Sequence, residues 1–252
     1  SRILLVAAHP DDEVIGAGGQ LAAWRDRVDI VHVTNGAPPD LSDAHRAGYN
    51  TAEDYASARR DELTRALSVA GVPSSRCHEI SVGDQRAAFA LPEIIERLRR
   101  FIDRLRPGLI FTHPYEGGHP DHDSTAFAVH TAAAGTSAEL WEFTSYHASE
   151  GGIETGRFLR NGDGAQIQYT LSEQQKQRKS EMFACFVSQQ HVLADFRIDN
   201  ETFRRAPRYD FTQPPHPGRL HYEQFEWGIT GQEWRSRVAT QCNEQFSASL
   251  TR

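Results

Sequence analysis

Two short segments of this 252-residue chain combine histidine with aspartate at spacings that suit a metal: His9-Pro10-Asp11-Asp12-Glu13 and His119-Pro120-Asp121-His122. A catalytic zinc takes three protein ligands and keeps one position open for water. His9 and Asp12 stand three apart across a tight turn, and His122 can supply the third ligand from the start of a helix. Zinc held this way lowers the pKa of its bound water to about 7, which makes hydroxide available at neutral pH. Asp11, beside the ligand Asp12 but pointing the other way, is the expected general base, passing a proton to a leaving amine. His119, one helical turn before His122, is expected over the substrate carbonyl, where a protonated ring would stabilise an oxyanion. Asp121 is the candidate to hold an imidazole in its working tautomer. The chemistry expected is hydrolysis of an amide.

A blander account treats the acids as helix-start residues complementing the macrodipole, and Pro120 as a first-turn proline. It leaves unexplained why histidines beside Pro-Asp recur in both segments. Two histidines and one carboxylate also describe the facial triad of non-haem iron oxygenases. Those usually carry the triad on an all-β barrel with His-x-Asp spacing, whereas the spacing here is His-x-x-Asp. A catalytically silent metal- or glycan-binding module is the other rival, disfavoured because a silent site has no need of Asp11. Ferrous iron fits the same three ligands as zinc.

The elements that must position these residues alternate. Ile3–Ala8 is a wholly apolar run of the kind that fills the centre of a parallel sheet. A polar turn precedes a helix expected from about Gly18 to Arg27. Then come strand Val28–Thr34, a loop, a helix over Thr51–Ala70, strand Cys77–Val82, helix Leu91–Leu105, strand Leu109–Thr112 and helix Asp121–Ala134. Such alternation implies an α/β fold: a Rossmann-like, mostly parallel sheet with helices on both faces. Both His-Pro-Asp segments then follow carboxyl ends of strands, where open sheets bind ligands. The second half reads as strands over Leu140–His147 and Gln166–Thr170, and a helix over Ser172–Gln190 capped by Ser172. From Glu201 the chain turns rich in aromatics and proline. The expectation is a single domain over 1–252, with a core over about 2–195 and an irregular C-terminal elaboration over about 196–252. Gly16-Ala17-Gly18-Gly19 is not the dinucleotide fingerprint, and close helix–sheet packing is its better explanation. His113-Pro114, at the end of the fourth strand, is structural by default, with a place in the crevice lining as its alternative.

Ala8-His9-Pro10-Asp11-Asp12-Glu13 with Gly16-Ala17-Gly18-Gly19, followed by His119-Pro120-Asp121-His122, resembles the PIG-L / LmbE-like deacetylase family. The resemblance covers at least residues 2–135, and more loosely the helix around Lys179 to Gln189. It implies zinc held by His9, Asp12 and His122, a base at Asp11, an oxyanion-stabilising His119, and an N-acetylated amino sugar or sugar conjugate as substrate. It also implies a sugar-binding arginine, matched by Arg59 in Arg59-Arg60-Asp61-Glu62-Leu63, and a substrate contact at Asp84. An exposed ion pair of Arg59 with Glu62 is the competing reading. Some relatives place a mobile tyrosine near the oxyanion histidine. Tyr115 is the candidate here for that substrate contact, although simple packing is the favoured reading of it. The tail, with His216-Pro217-Gly218, Trp227 and Trp234, matches no well-studied sugar deacetylase. An amidase acting on a non-sugar or larger acyl conjugate is the variant within the same class.

Composition narrows the field. With 38% hydrophobic and 24% charged residues the chain is ordinary for a soluble globular protein, and its net charge of -7 argues against a nucleic-acid binder. Cys77, Cys185 and Cys242 are widely spaced and odd in number, which favours a reducing, cytoplasmic setting. No apolar run near the start is long enough for a membrane span. The chain opens at Ser1, which leaves room for a leader removed earlier. A homo-oligomer is compatible with all of this.

Overall fold

The computed structural model describes residues 1–150, 152–159 and 165–250. Its elements in chain order are β1 (Ile3–Ala7), α1 (Asp12–Trp24), β2 (Val28–Thr34), α2 (Ser42–Arg46), α3 (Ala52–Val69) and β3 (Cys77–Val82). Next come α4 (Leu91–Leu105), β4 (Leu109–Thr112), α5 (Pro120–Ala133), β5 (Glu139–Phe143), β6 (Tyr146–Ser149) and β7 (Gly152–Thr155). The remainder is β8 (Gln166–Thr170), α6 (Glu173–Cys185), α7 (Gln190–Leu193), β9 (Asn200–Arg205) and α8 (Gly231–Leu250).

Seven strands form one sheet in the order β3-β2-β1-β4-β5-β9-β8. The first five run parallel, and β9 and β8 add an antiparallel edge. β1 and β2 are buried along their whole length, as the apolar run at Ile3 requires. The polar exceptions in β2 are paired: Asp29 with Arg76 and His78 at 3.0 Å each, and His32 with Glu13 at 2.8 Å. One face of the sheet packs α1, α3 and α6 through Leu21, Leu63, Leu67, Met182 and Phe186. The other packs α4 and α5 through Ile94, Leu98, Phe127 and Val129, joined by Trp234 and Val238 of α8. Helices therefore cover both faces, as the alternation predicts.

Three boundaries differ from the sequence reading, each for a local reason. Helix α1 begins at Asp12 rather than near Gly18, because Asp12 and Glu13 fill its first turn. Within it, a Cβ on Gly16 would stand 2.2 Å from the Phe143 ring of β5, so the glycine run serves the approach of helix to sheet. The strand read over Leu140–His147 is broken at Thr144 and Ser145, and its second part pairs with β7 in a separate two-stranded sheet. The helix read over Ser172–Gln190 starts from Ser172 through a capping box with Gln175 but stops at Cys185. Beyond it, the Glu62 carboxylate accepts from the Ser188 N–H at 2.8 Å and its hydroxyl at 2.7 Å, holding that backbone N–H out of helical pairing.

The tail is more ordered than its composition suggests. β9 enters the main sheet between β5 and β8, and α8 lies on α5. Trp234 is fully buried, donates from Nε1 to the Ser124 hydroxyl at 2.8 Å, and stacks on Tyr115 with centroids 5.2 Å apart. The irregular part is confined to the stretch between β9 and α8. Among the described residues, no helix is long and apolar enough to cross a membrane.

Candidate metal centre

In the order β3-β2-β1-β4-β5 the progression of strands across the sheet switches sides between β1 and β4, which pair directly in parallel with Leu5 opposite Phe111. A crevice opens at the carboxyl ends of two such strands. His9 follows β1, while His113 and His119 follow β4, so the topology itself brings the two segments together. The donors are close. His9 Nδ1 lies 3.2 Å from Asp12 Oδ2, His122 Nε2 lies 3.3 Å from His9 Nδ1, and His122 Nε2 lies 3.3 Å from Asp12 Oδ1. Ligands about 2.0–2.1 Å from a tetrahedral zinc stand about 3.3–3.4 Å from one another. The two imidazole nitrogens stand at that spacing from each other and each from a different oxygen of Asp12, and a set of two imidazoles with a carboxylate suits zinc or ferrous iron.

Neighbours set the donor states. Burial works against ionising Asp12, but His122 and His113 outweigh it and hold the carboxyl well below its usual range. Burial, with His113 and His9 nearby, pushes His122 down to about 4, so its ring is neutral as ligation requires. His9 is different: burial opposes its charge, yet Asp84, Asp12 and Asp121 lift it well above the usual histidine value. A cation at Nδ1 has to displace that proton. His9 Nε2 faces Asp84 Oδ1 at 3.1 Å and Asp121 Oδ2 at 3.3 Å, which leaves Nδ1 for the donor set. Asp121 is itself fixed by the backbone N–H groups of Gln85 at 2.6 Å and Ala87 at 3.0 Å. The expected orienting role of Asp121 has its geometry, and Asp84 shares it.

Asp11 caps α1 with φ 129 and ψ -29, a region that L side chains rarely adopt. Such a backbone costs on the order of 1–3 kcal/mol and tends to occur where function constrains the chain. Its carboxylate accepts from Arg59 Nη2 at 3.1 Å, and the same nitrogen donates to the Pro10 carbonyl. Burial pushes Asp11 up to about 8 against the pull of Arg59, with Asp12 and Glu13 adding repulsion and His9 opposing. Arg59 is 3% exposed, which excludes the surface ion pair with Glu62. His119 accepts at Nδ1 from the Asp121 N–H at 3.1 Å, so its ring proton sits on Nε2. Burial, with His9 beside it, holds His119 well below the usual value. The ring thus presents a neutral N–H at Nε2.

The donors line a cleft of 460 Å³ shared with Asp11, Arg59, Asp84, Gln85 and His119. Tyr115 is not among its walls. It is buried, donates its hydroxyl to the Gln213 carbonyl at 2.8 Å, and packs among Tyr209, Phe211 and Trp234. The expected substrate contact there is corrected: Tyr115 packs. The tyrosine in the cleft is Tyr146, whose ring is 5.3 Å from that of His122. It arrives because Gly118 lets the chain pass the Tyr146 carbonyl, which a Cβ would meet at 2.1 Å.

Two more residues pack against the donors, one of them at the His-Pro dipeptide noted in the sequence. His113 stacks on His122 with centroids 4.0 Å apart and its Nε2 lies 3.3 Å from Asp12 Oδ2. Its signal was the His-Pro dipeptide that repeats His9-Pro10 at the neighbouring strand end. Ser145 Oγ lies 3.3 Å from His122 Nδ1 and had no local signal.

A family model described as "PIG-L: GlcNAc-PI de-N-acetylase" matches residues 4–133. A probable N-acetyl-alpha-D-glucosaminyl L-malate deacetylase 2 of Bacillus anthracis is 31% identical over 140 residues, covering 53% of this chain and 59% of that protein. A 1D-myo-inositol 2-acetamido-2-deoxy-alpha-D-glucopyranoside deacetylase of Tsukamurella paurometabola is 31% identical over 193 residues, covering 62% of this chain and 65% of that one. The chain thus spans 59% and 65% of the length of these relatives. Among solved structures, a deacetylase in the biosynthesis pathway of teicoplanin superposes with TM-score 0.67 over 83% of this chain and 99% of that one. At 18% identity that likeness speaks to the fold alone.

Proposed function

Because the chain belongs to the PIG-L family of GlcNAc-PI de-N-acetylase-like proteins, we propose that it is a zinc-dependent hydrolase removing an N-acetyl group from an amino sugar or sugar conjugate. The observation that carries this reading is the donor triangle of His9, Asp12 and His122: the two imidazole nitrogens stand 3.3 Å apart and each lies 3.2–3.3 Å from one or other Asp12 oxygen, spacings compatible with one shared cation. The deacetylase names of both relatives support the choice of an acetamido substrate. Ferrous iron would fit the same donors.

A metal held by His9, Asp12 and His122 would supply a Lewis acid that makes bound water acidic near neutral pH. Asp11 takes the proton of the attacking water and returns it to the departing nitrogen. Arg59 fixes the carboxylate through one hydrogen bond and holds the Pro10 carbonyl with the same nitrogen. The N–H of His119 donates from Nε2 to the substrate carbonyl oxygen as negative charge gathers on it. Asp84 and Asp121 keep His9 turned toward the donor set.

The test is acetate release from a panel of N-acetylated sugars and sugar conjugates, run beside metal analysis of the purified protein. Acetate from at least one compound, lost on chelation and restored by zinc, is expected. A zinc-loaded protein that releases acetate from none would leave a metal-binding protein in place of the hydrolase.

A further inference from the structure

His119 must aim one N–H, yet a single hydrogen bond holds its ring: Nδ1 accepts from the Asp121 N–H at 3.1 Å. The outer torsion of a histidine is soft, so the ring plane depends on what packs against it. Among the described residues three rings do so, with centroids at 4.5 Å for His9, 5.2 Å for His122 and 4.6 Å for Trp227. The first two belong to the donor set. Trp227 comes from the tail, which the hydrolytic reading leaves unused. A competing acceptor stands close by, because Asp84 Oδ1 lies 3.8 Å from His119 Nε2, just beyond hydrogen-bond reach. A carboxylate is a stronger partner than a neutral carbonyl, so a ring free to turn would close on Asp84.

Trp227 is itself braced. Phe225 stacks on it with centroids 4.6 Å apart and 15° between the planes. The Glu223 carboxylate ties the two ends of this segment together, accepting from the Leu220 N–H at 3.1 Å and the Gly231 N–H at 2.8 Å. The His221 N–H donates to the Gly117 carbonyl at 2.9 Å, and Leu220 fills the space that a Cβ on Gly117 would need, at 2.7 Å. The segment is thus clamped to the loop that carries His119.

We propose that Trp227 is a positioning residue for His119: its packing keeps the Nε2–H turned toward the substrate carbonyl and off the Asp84 carboxylate. The proposal rests on the deacetylase reading for the role of His119 and adds a residue of the tail to it. Trp227 also lines the cleft, so direct contact with substrate is the rival. The two differ in kinetics. A contact to substrate made throughout binding changes KM, whereas a residue acting through His119 changes kcat, and only while His119 is present.

The test compares zinc-loaded wild type, Trp227→Ala, Trp227→Phe, His119→Ala and the double variant Trp227→Ala with His119→Ala by acetate release. Trp227→Ala should keep its zinc and lower kcat about 10–100-fold, with KM within about twofold. Trp227→Phe should recover most of that loss. In the His119→Ala background the same change should cost nothing further. A second readout needs no turnover: in a crystal structure of zinc-loaded Trp227→Ala, His119 Nε2 should close on Asp84 Oδ1 to about 2.7–2.9 Å. Additive losses, a change confined to KM, loss of zinc, or a His119 ring that stays clear of Asp84 would each overturn the proposal. A wild type that releases no acetate, with the ring still closing on Asp84 in Trp227→Ala, would sustain the positioning and sink only the deacetylase reading.

Discussion

Arg59 Nη2 donates to Asp11 Oδ2 at 3.1 Å where both side chains are almost wholly buried. The pair explains how a carboxylate can stay reactive inside the protein. Burial and the adjacent Asp12 favour the protonated acid, whereas Arg59 favours the ionised base. Removing the guanidinium therefore moves the Asp11 pKa upward, and the active base fraction at neutral pH falls. In Arg59→Ala the acid limb of the kcat/KM profile should shift to higher pH, with turnover at pH 7 down about 10–100-fold. An acid limb that stays in place would detach Arg59 from the base.

Asp11→Asn keeps the shape of the side chain and removes its basicity. The three donors His9, Asp12 and His122 are untouched, so zinc content should match the wild type. Turnover should drop by about 10²–10⁴. The positive φ of Asp11 adds a second reason for the choice, because asparagine tolerates such backbone better than most residues. Wild-type kcat in a zinc-replete Asp11→Asn protein would take Asp11 out of the chemistry.

Much of this site was legible because its geometry is set by elements whose signals are local. The apolar run of β1 and the His-Pro-Asp segments mark strand ends, and the alternation of strands and helices makes β1 and β4 neighbours. Tyr115 misled because nearness in sequence to His119 says nothing once Gly117, at φ 71, and Gly118 turn the chain between them. Tyr146 could not be found without knowing that β5 breaks after Phe143. The helix α8 was hidden by a preceding stretch of proline and aromatics, and among its described side chains Trp234 and Val238 are the deeply buried apolar ones. Asp84 showed as a loop acid; its grip on His9 is a long-range fact.

His113 offers a test of what surrounds the donors. Its Nε2 accepts from the Ala8 N–H at 3.0 Å and faces Asp12 Oδ2 at 3.3 Å, while its ring stacks on His122. It touches two of the three donors and no open part of the cleft. His113→Ala should weaken zinc affinity about 10–100-fold, as loss of a supporting partner does, with kcat of the zinc-saturated protein falling less. Competitive titration with a chromogenic chelator reads the first quantity. An affinity equal to that of the wild type would reduce His113 to core filling.

His122→Ala removes one corner of the donor triangle and should abolish stoichiometric zinc. His119→Ala should instead spare the metal and lower kcat, as the oxyanion-stabilising role proposed for its Nε2–H requires. Metal analysis of the two proteins side by side separates the roles, and full zinc occupancy in His122→Ala would refute the ligand assignment.

The Lys179–Glu201 pair tests how the antiparallel edge is joined to the rest. Lys179 Nζ donates to Glu201 Oε1 at 2.7 Å and to the Ile15 carbonyl at 2.8 Å, while the Gly19 N–H donates to the same carboxylate oxygen at 2.7 Å. One ion pair thus binds α1, α6 and β9, with both side chains shut off from solvent. Truncating one partner strands the other charge, so Glu201→Ala should lose about 3–5 kcal/mol in urea unfolding. The double variant Lys179→Met with Glu201→Leu should recover most of that loss, since an apolar pair of similar volume has no charge to desolvate. A Glu201→Ala protein within about 1 kcal/mol of the wild type would mean that water reaches the lysine and that β9 is held to α1 by packing alone.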